Sequence, residues 1–237
     1  MSERPFAENI ALVTGASRGI GAATALALAE RGAHVILVAR TVGGLEQTEE
    51  AIHAAGGTAT IAPLDLADGD SIGRLSSAVG ERWGRLDMLV LNAAILGALA
   101  PVPSIDAKEF SRVLTLNVGA NQALIAAFDP WLRQSAAARL IAVTSSVGTS
   151  PRAYWGGYGA SKAALETLAL TYADEMSGLG DLRVAIVDPG ATATAMRTDA
   201  FPGEDPATIK QPAVVGAAIA DLLASDFPTG YRLRVEG

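Results

Sequence analysis

The sequence predicts one α/β domain: a parallel, doubly wound sheet of about seven strands flanked by helices. With 237 residues the chain is long enough to bury one large core. Apolar runs of strand length alternate with helical patterns along its length, and most of these runs are apolar at successive positions. Strands buried on both faces have this composition, so we expect the sheet to be parallel and covered on both sides.

No domain boundary or internal repeat interrupts this alternation, so we interpret residues 1–237 as a single domain. The least regular region, about residues 192–211, is a candidate flexible substrate loop or simply a long connection. The predicted strands are residues 10–14, 34–39, 58–63, 86–92, 139–144, 183–187 and 231–235. The predicted helices are residues 21–31, 41–55, 70–83, 106–132, 158–177 and 212–224.

Composition and charge argue against several classes of function. The net charge of −7 and the pI near 4.9 do not suit binding to nucleic acid or to an anionic membrane. The absence of cysteine excludes a disulfide framework and thiolate chemistry. The N-terminal residues lack the pattern of a signal peptide, and no apolar run is long enough to span a bilayer. We expect a soluble cytoplasmic protein without a metal site.

A tyrosine and a lysine four residues apart, Tyr158 and Lys162, form a candidate catalytic pair. On a helix they share one face, with Cβ atoms about 5–6 Å apart. The pKa of a free tyrosine is about 10. A cation about 4 Å from the phenolate, at an effective dielectric of about 20, stabilises it by up to about 4 kcal/mol, which would bring the phenol into the range of general acid–base catalysis. The alternative is an interfacial tyrosine and a solvated lysine on an ordinary helix.

A glycine-rich turn, Gly15-Ala-Ser-Arg-Gly19-Ile-Gly21, joins the first strand to the first helix. Glycines here allow a sharp turn and let backbone N–H groups approach a pyrophosphate at the helix N-terminus. The spacing differs from the common G-x-G-x-x-G fingerprint, so a purely structural turn is the alternative. The candidate cofactor contacts in this turn are Gly15, Ser17, Arg18, Gly19, Ile20 and Gly21.

The same turn matches a G-x-S-x-G nucleophile elbow. A serine hydrolase of that kind would need a histidine base late in the chain, after an acid. The only histidines are His34 and His53, both early, so the sequence argues against serine hydrolysis.

The end of the second strand bears on the choice of dinucleotide. An acid there would hydrogen-bond the ribose 2′-hydroxyl of NAD, whereas this chain has Arg40, a bidentate partner for the 2′-phosphate of NADP. Arg18 could join it, so NADP(H) is favoured over NAD(H); two solvated arginines are the alternative.

After the third strand, Asp65 and Leu66 are expected beside an adenine ring. A helix N-cap is the other interpretation, and it suits Asp68 better than Asp65.

With the T-G-x-x-x-G-I-G turn at residues 14–21 and the Y-x-x-x-K at residues 158–162, the sequence resembles the short-chain dehydrogenase/reductase family. The resemblance covers essentially the whole chain and implies a Rossmann-type fold. The family's N-N-A-G motif after the fourth strand is Leu91-Asn92-Ala93-Ala94 here. Asn92 and Ala93 are kept and are implied cofactor contacts, while Leu91 and Ala94 depart from the pattern.

The resemblance also implies roles for an asparagine and a serine. Asn117 matches the helical asparagine that holds a water in the family's proton relay, with helix packing as the alternative. The family's catalytic serine lies thirteen or so residues before the tyrosine, which selects Ser145, with Ser146 as the alternative. The hydroxyl of that serine can donate to a substrate carbonyl oxygen that becomes alkoxide-like during hydride transfer.

Residues around the nicotinamide have counterparts as well. Pro189 and Gly190 match the family's turn beside the nicotinamide, and Thr194 matches the threonine that contacts its carboxamide. By the same resemblance, Lys162 lowers the pKa of Tyr158 and holds the nicotinamide ribose hydroxyls. Tyr158 would then donate a proton as hydride reaches a carbonyl, and act as the base in the reverse oxidation.

The leading interpretation is an NADP(H)-dependent oxidoreductase acting on a small-molecule carbonyl or secondary alcohol. A 3-oxoacyl-thioester reductase of fatty-acid type is included in the resemblance, and a non-catalytic dinucleotide-binding regulator is a separate class with the same fold. An apolar substrate is favoured. The candidate lining residues of its pocket, for which core packing or an oligomer contact is the alternative, are Tyr154, Trp155, Leu96, Met196 and Phe201.

A homodimer or homotetramer is also implied. Family members commonly associate through the helices that correspond to residues 106–132 and 158–177. Small residues on the second of these would permit close approach of a partner helix, although packing within the chain explains them too. They are Ala160, Ala163, Ala164 and Ala169.

Overall fold

Seven parallel strands form one sheet in the order β3-β2-β1-β4-β5-β6-β7. The computed structural model describes residues 4–236. The strand order reverses between β1 and β4, and such a switch point leaves a crevice at the carboxyl ends of the strands. The strands are β1 (Ile10–Thr14), β2 (His34–Ala39), β3 (Thr58–Pro63), β4 (Met88–Leu91), β5 (Arg139–Val143), β6 (Arg183–Asp188) and β7 (Tyr231–Arg234). The helices are α1 (Gly19–Glu30), α2 (Val42–Ala54), α3 (Gly69–Trp83), α4 (Ala107–Leu114), α5 (Ala120–Leu132), α6 (Gly156–Glu175), α7 (Ala195–Ala200) and α8 (Pro212–Ala224).

The fold class predicted from the sequence is confirmed. Every predicted strand is present, with ends within two residues of the expected positions. Apolar side chains leave the sheet on both faces because successive strand residues point to opposite sides. Val13 belongs to a core covered by α1, α2 and α8, and its neighbour Leu12 to a second core covered by α3, α5 and α6. The sheet is thus the middle of three layers.

The long helix predicted at residues 106–132 is divided. A five-residue π-helical turn, Thr115–Gly119, separates α4 from α5. Asn117 lies in this turn, fully buried, and its side chain is hydrogen-bonded to both backbone groups of Ile95. These long-range bonds hold the helix in a geometry that no local pattern predicts, and π-turns of this kind are frequent at functional sites.

Residues 192–211 are more regular than predicted. They contain α7 and a β-bridge between Thr192 and Lys210. Thr194 Oγ1 caps α7 by accepting the Arg197 N–H at 3.2 Å. The guanidinium of Arg197 pairs with both carboxylate oxygens of Glu204 at 2.5 Å. The sequence does not predict α7 because six residues are too few to show a helical period.

Within residues 4–236, no helix has both the length and the apolar character that crossing a membrane requires.

Candidate active site

The glycine-rich turn folds into a cradle of backbone atoms at the carboxyl end of β1. Gly15 and Gly19 have φ angles of 68° and 57°, a left-handed conformation that side chains disfavour. A Cβ atom on Gly21 would lie 2.2 Å from the carbonyl oxygen of Gly15, so only glycine fits there. Arg18, the N-cap residue of α1, makes no side-chain cap hydrogen bond. The first N–H groups of α1 are therefore free to meet a phosphate.

Thr14 and Asn92 hold this cradle against the end of β4. Thr14 Oγ1 accepts the N–H groups of Asn92 and Ala93 at 2.9 and 3.0 Å, and donates to the Val90 carbonyl at 3.1 Å. Asn92 Nδ2 donates to the Thr14 carbonyl at 2.8 Å. A Cβ atom on Gly15 would lie 2.8 Å from Asn92 Nδ2. Asn92 and Ala93 therefore lie directly against the glycine turn.

The departures from the family motif have a structural explanation at one of two positions. Leu91 is 1% exposed and packs in the core on the α3, α5 and α6 side, so an apolar residue suits it. The hydrogen bonds at this edge come from Asn92 and from backbone groups, and they do not need an amide at Leu91. Ala94 is half-buried, and nothing in the structure explains why glycine is replaced there.

Two arginines lie beside the cradle. Arg18 is exposed. Arg40 follows β2 with its side chain 66% exposed, and one guanidinium nitrogen lies 3.9 Å from a carboxylate oxygen of Asp65. Guanidinium groups match phosphate oxygens in a bidentate way. The backbone cradle, the open N-terminus of α1 and these two cations fit a dinucleotide that carries an additional phosphate.

The residues after β3 divide between the surface and the core. Asp65 is exposed, and its Oδ1 accepts the Ala67 N–H at 3.0 Å. Leu66 is 6% exposed, and its side chain belongs to the core. Asp68 caps α3 by accepting the Asp70 N–H at 3.1 Å, so the N-cap interpretation is confirmed for that residue.

Tyr158 and Lys162 lie one turn apart near the start of α6, and both are buried. Lys162 Nζ donates to the Val143 carbonyl at 2.8 Å and lies 5.6 Å from the centroid of the Tyr158 ring. Val143 is the last residue of β5. The lysine therefore ties the face of α6 that carries the pair to the carboxyl end of a central strand.

The turn after β5 packs closely on the same helix. A Cβ atom on Gly159 would lie 2.9 Å from the Val147 carbonyl oxygen, so the approach requires glycine. Ser145 begins this turn and is half-buried, whereas Ser146 is exposed. Of the two candidate serines, Ser145 is thus the one partly enclosed beside α6.

The pKa of Tyr158 is not shifted in the direction that the sequence predicts. Burial raises the pKa of the Tyr158 phenol above its ordinary value, and the carboxylate of Asp188 raises it further. Burial lowers the pKa of Lys162 to about 8, opposed by Glu166. The expected lowering of the Tyr158 pKa is therefore wrong for this geometry. Removing both groups from water favours their neutral forms, and the Lys162 ammonium is bonded to Val143.

Asn117 and Ser161 form a buried link between the π-helical turn and α6. Asn117 Nδ2 donates to Ser161 Oγ at 3.0 Å and to the Ile95 carbonyl at 2.9 Å. Ser161 Oγ donates to the Tyr158 carbonyl at 2.7 Å. Bonds of this kind suit a role of Asn117 in helix packing. Ser161 is the one residue that links the Asn117 side chain to the backbone of Tyr158. Sequence reasoning overlooked Ser161, although its place between Tyr158 and Lys162 was an available signal.

The segment after β6 contains three predicted residues and brings one of them, Thr194, to the cradle. Gly190, which follows Pro189, has a φ of 61°, and its N–H donates to Asp188 Oδ1 at 3.0 Å. A Cβ atom on Gly19 would lie 3.4 Å from Thr194 Cγ2, so Thr194 contacts the glycine turn. The residues predicted for the cofactor side thus converge at the carboxyl ends of neighbouring strands.

Two aromatic rings lie beside Tyr158. The Trp155 ring is 5.9 Å from the Tyr158 ring, edge to face at 69°, and 5.8 Å from the Phe201 ring. Phe201 follows α7, so residues 192–211 reach the immediate neighbourhood of the tyrosine. Of the other candidate lining residues, Tyr154 is 60% exposed, whereas Leu96 and Met196 are half-buried, as Trp155 and Phe201 are.

Comparison with known proteins agrees with this arrangement. The sequence model of a family described as short chain dehydrogenase matches residues 9–205. The oxidoreductase YciK of Escherichia coli K12 is 37% identical over 222 residues, which cover 92% of this chain and 87% of that protein. Cis-4-hydroxycyclohexanecarboxylate dehydrogenase of Sinomonas cyclohexanicum is 34% identical in an alignment of 247 positions that covers 98% of this chain and 96% of that protein.

A solved structure of a short chain dehydrogenase from Escherichia coli CFT073, complexed with NADPH, has a TM-score of 0.94 and 36% identity and covers 100% of both chains. The family match spans most of the residues that build the cradle and the Tyr158–Lys162 pair. The two relatives align over nearly all of this chain and most of their own lengths. The chain therefore belongs to the short-chain dehydrogenase/reductase family of oxidoreductases.

Proposed function

We propose that the protein transfers hydride between NADP(H) and a carbonyl or secondary alcohol, with Tyr158 as the general acid and base. The observation that carries this proposal is the buried Tyr158–Lys162 pair, tied to the end of β5. The NADPH bound to a relative of the same fold supports the choice of dinucleotide. The hydroxy acid named for the Sinomonas relative supports a secondary alcohol as the reduced form of the substrate.

When bound, the dinucleotide supplies or receives the hydride, and the residues of this chain handle the proton. In reduction, Tyr158 Oη gives its proton to the substrate oxygen. Because burial raises the pKa of Tyr158, the phenol is protonated at neutral pH, as a donor must be. Ser145 Oγ donates a hydrogen bond to the same oxygen as negative charge develops on it. Lys162, charged below a pKa of about 8, stabilises the phenolate that remains.

The cofactor side of the site is proposed to consist of backbone and side-chain contacts that surround the crevice. Lys162 holds ribose hydroxyls, and Asn117 continues the proton path from Lys162 toward solvent through water. The remaining proposed contacts share the carboxyl edge of the sheet. They are Gly15, Ser17, Arg18, Gly19, Ile20, Gly21, Arg40, Asp65, Leu66, Asn92, Ala93, Pro189, Gly190 and Thr194.

Replacement of the proton donor tests the assignment. We expect Tyr158→Phe to bind NADPH with nearly normal affinity and to lose at least about 100-fold in turnover, because general acid catalysis contributes roughly that much. Binding is measured by fluorescence of the nicotinamide, and turnover by its absorbance with a panel of ketones and their alcohols. Tyr172→Phe is the matched control, since Tyr172 is also buried on α6 but its hydroxyl donates to Asp129. Turnover in Tyr158→Phe comparable to that of the wild type would refute the assignment.

We further propose that the protein is a homodimer or homotetramer whose subunits meet through α4, α5 and α6. Small and apolar side chains on the outer side of α6 support this. Ala160 is exposed, and Ala164 and Leu168 are half-buried at intervals of one helical turn. Ala169, by contrast, is fully buried in the core of its own chain, so packing within the chain explains it.

A further inference from the structure

Arg152 lies at the edge of the aromatic pair beside Tyr158. It belongs to the segment between β5 and α6. Its guanidinium carbon is 5.0 Å from the centroid of the Phe201 ring and 5.9 Å from that of Trp155. The Trp155 ring in turn packs edge to face on Tyr158. The arginine therefore shares an apolar surface with the proposed proton donor.

The charge of Arg152 is not compensated by the chain. Among residues 4–236, no carboxylate oxygen lies within 4.0 Å of its guanidinium nitrogens. A second arginine on the same Phe201 ring, Arg197 at 3.8 Å, is neutralised by its bidentate pair with Glu204. Arg152 is thus a free cation next to the reacting centre, in a chain whose net charge is −7.

The loop that carries this arginine is held in a defined shape. The Trp155 N–H donates to the Arg152 carbonyl at 3.1 Å, which closes a turn with Tyr154 at its third position. Tyr154 has a φ of 73°, which a type II turn requires and which a bulky residue rarely adopts. The Tyr154 carbonyl accepts the Ala100 N–H at 3.1 Å. Strain of this kind persists where the surroundings impose it, and it is common at ligand-binding sites.

Resting on the proposed function, we propose that Arg152 binds a carboxylate of the substrate, so that the substrate is an oxo acid or hydroxy acid. The planar guanidinium matches a carboxylate in a bidentate way. Trp155 contacts both Arg152 and Tyr158, so an apolar part of the substrate lies on the rings and separates its carboxylate from its carbonyl. Arg18 and Arg40, at the glycine turn and the end of β2, are left for the phosphates of the dinucleotide.

The test compares oxo acids with their neutral methyl esters in matched pairs. Suitable pairs are 4-oxocyclohexanecarboxylate, 5-oxohexanoate and 4-acetylbenzoate with their methyl esters, reduced with NADPH. We expect the wild type to prefer the acid in at least one pair by about tenfold in kcat/KM, as a partly exposed charged hydrogen bond provides. Arg152→Gln should raise KM for that acid about tenfold and leave its kcat, and both constants for the ester, nearly unchanged.

Arg82→Gln is the matched control. Arg82 also lies over a tryptophan ring, at 4.5 Å from Trp83, but at the end of α3. Arg82→Gln should leave the ratio of kcat/KM for the acid to kcat/KM for the ester unchanged. Arg152→Lys should retain part of the preference for the acid. Equal losses on acid and ester in Arg152→Gln would mean that the arginine only supports the aromatic pair, and would overturn the proposal. Preference for the ester, or for a neutral 3-oxoacyl thioester, in every comparison would overturn it as well.

Failure of the proposed function is distinguished by a binding measurement. If the wild type reduces none of the ketones, the hydride-transfer proposal fails, and the anion site is judged separately by calorimetry. The oxo acids are titrated into Tyr158→Phe loaded with NADP⁺, with and without Arg152→Gln. Binding of an acid that weakens about tenfold on loss of Arg152 supports the site. Binding that is unaffected by the change, or absent for all three acids, overturns it.

Discussion

Arg40 is the residue whose environment bears most directly on the choice of dinucleotide. Its side chain is mostly exposed and its nearest carboxylate oxygen, on Asp65, is 3.9 Å away, so little energy opposes its turning toward a phosphate. We expect Arg40→Ala to raise KM for NADPH about tenfold and to leave KM for NADH nearly unchanged. Arg74→Ala is the control, because Arg74, on α3, is about as exposed as Arg40 and pairs with Asp68, the N-cap residue of that helix. Faster turnover of the wild type with NADH than with NADPH would contradict the role of Arg40.

Lys162 is charged in a place where charge is unfavourable. Burial lowers its pKa from 10.5 to about 8, and the hydrogen bond to the Val143 carbonyl does not replace the water that Lys162 has lost. Between these two pH values the unfolded chain binds more protons at this lysine than the folded chain does. The contribution of Lys162 to the stability of the protein therefore rises with pH through this window. Below about pH 8 the folded protein carries the full destabilising effect of the buried ammonium.

Lys162→Met isolates this contribution. The wild type should gain about 2 kcal/mol in unfolding free energy, relative to the variant, between pH 7.5 and pH 9.5, because only the wild type has the titrating lysine. The interval ends below the pH at which tyrosines in the unfolded chain ionise. Urea denaturation at a series of pH values measures the difference. Parallel stability curves for the two proteins would show that Lys162 titrates normally.

Among the secondary-structure elements, α3 and α5 form a contact that depends on one missing side chain. A Cβ atom on Gly80 would lie 2.1 Å from Cζ2 of Trp131. Trp131 cannot simply swing away, because its Nε1 donates to Ser76 Oγ at 2.9 Å and Ser76 donates to the Ala127 carbonyl at 2.6 Å. The two helices are thus locked together at this point.

Two alanine substitutions on the same helix should have opposite effects. We expect Gly80→Ala to lower the unfolding free energy by about 1–3 kcal/mol through overpacking against Trp131. Gly73→Ala meets nothing within 4 Å and should raise it by up to about 1 kcal/mol, because alanine favours the helix. Chemical denaturation of both variants gives the comparison. Equal effects would mean that α5 moves to accommodate the methyl group.

The elements differ in how well the sequence predicts them. The strands are predictable because continuous apolar runs are the direct chemical consequence of burial on both faces. The division between α4 and α5 is not, because it depends on the bonds of Asn117 to Ile95, which lies on a distant segment. In the site, the glycine turn and the Tyr158–Lys162 pair are recognisable from local spacing. The surroundings of Arg152 are not, since they depend on Phe201 folding back onto Trp155.

At the scale of the whole molecule, the proposed assembly would bury the outer surface of α6 between subunits. Ala164→Arg places a long charged side chain on the outer surface of α6, where burial in an interface would be strongly unfavourable. We expect this variant to be monomeric by light scattering, while the wild type is a dimer or tetramer. Ala78→Arg on the exposed side of α3 is the control and should retain the state of the wild type. A monomeric wild type at micromolar concentration would contradict the proposed assembly.

Residues 192–211 connect the two sides of the site physically. Thr194, at the start of α7, contacts Gly19 in the cradle, and Phe201, just after its end, packs on Trp155 beside Tyr158. A ligand that restrains α7 from one side therefore reduces the entropy that remains to be lost when a second ligand binds on the other. Such a coupling free energy is reciprocal, so we expect the proposed dinucleotide and substrate to strengthen each other's binding by the same factor. The coupling expected between two different molecules would thus pass through a helix of only six residues.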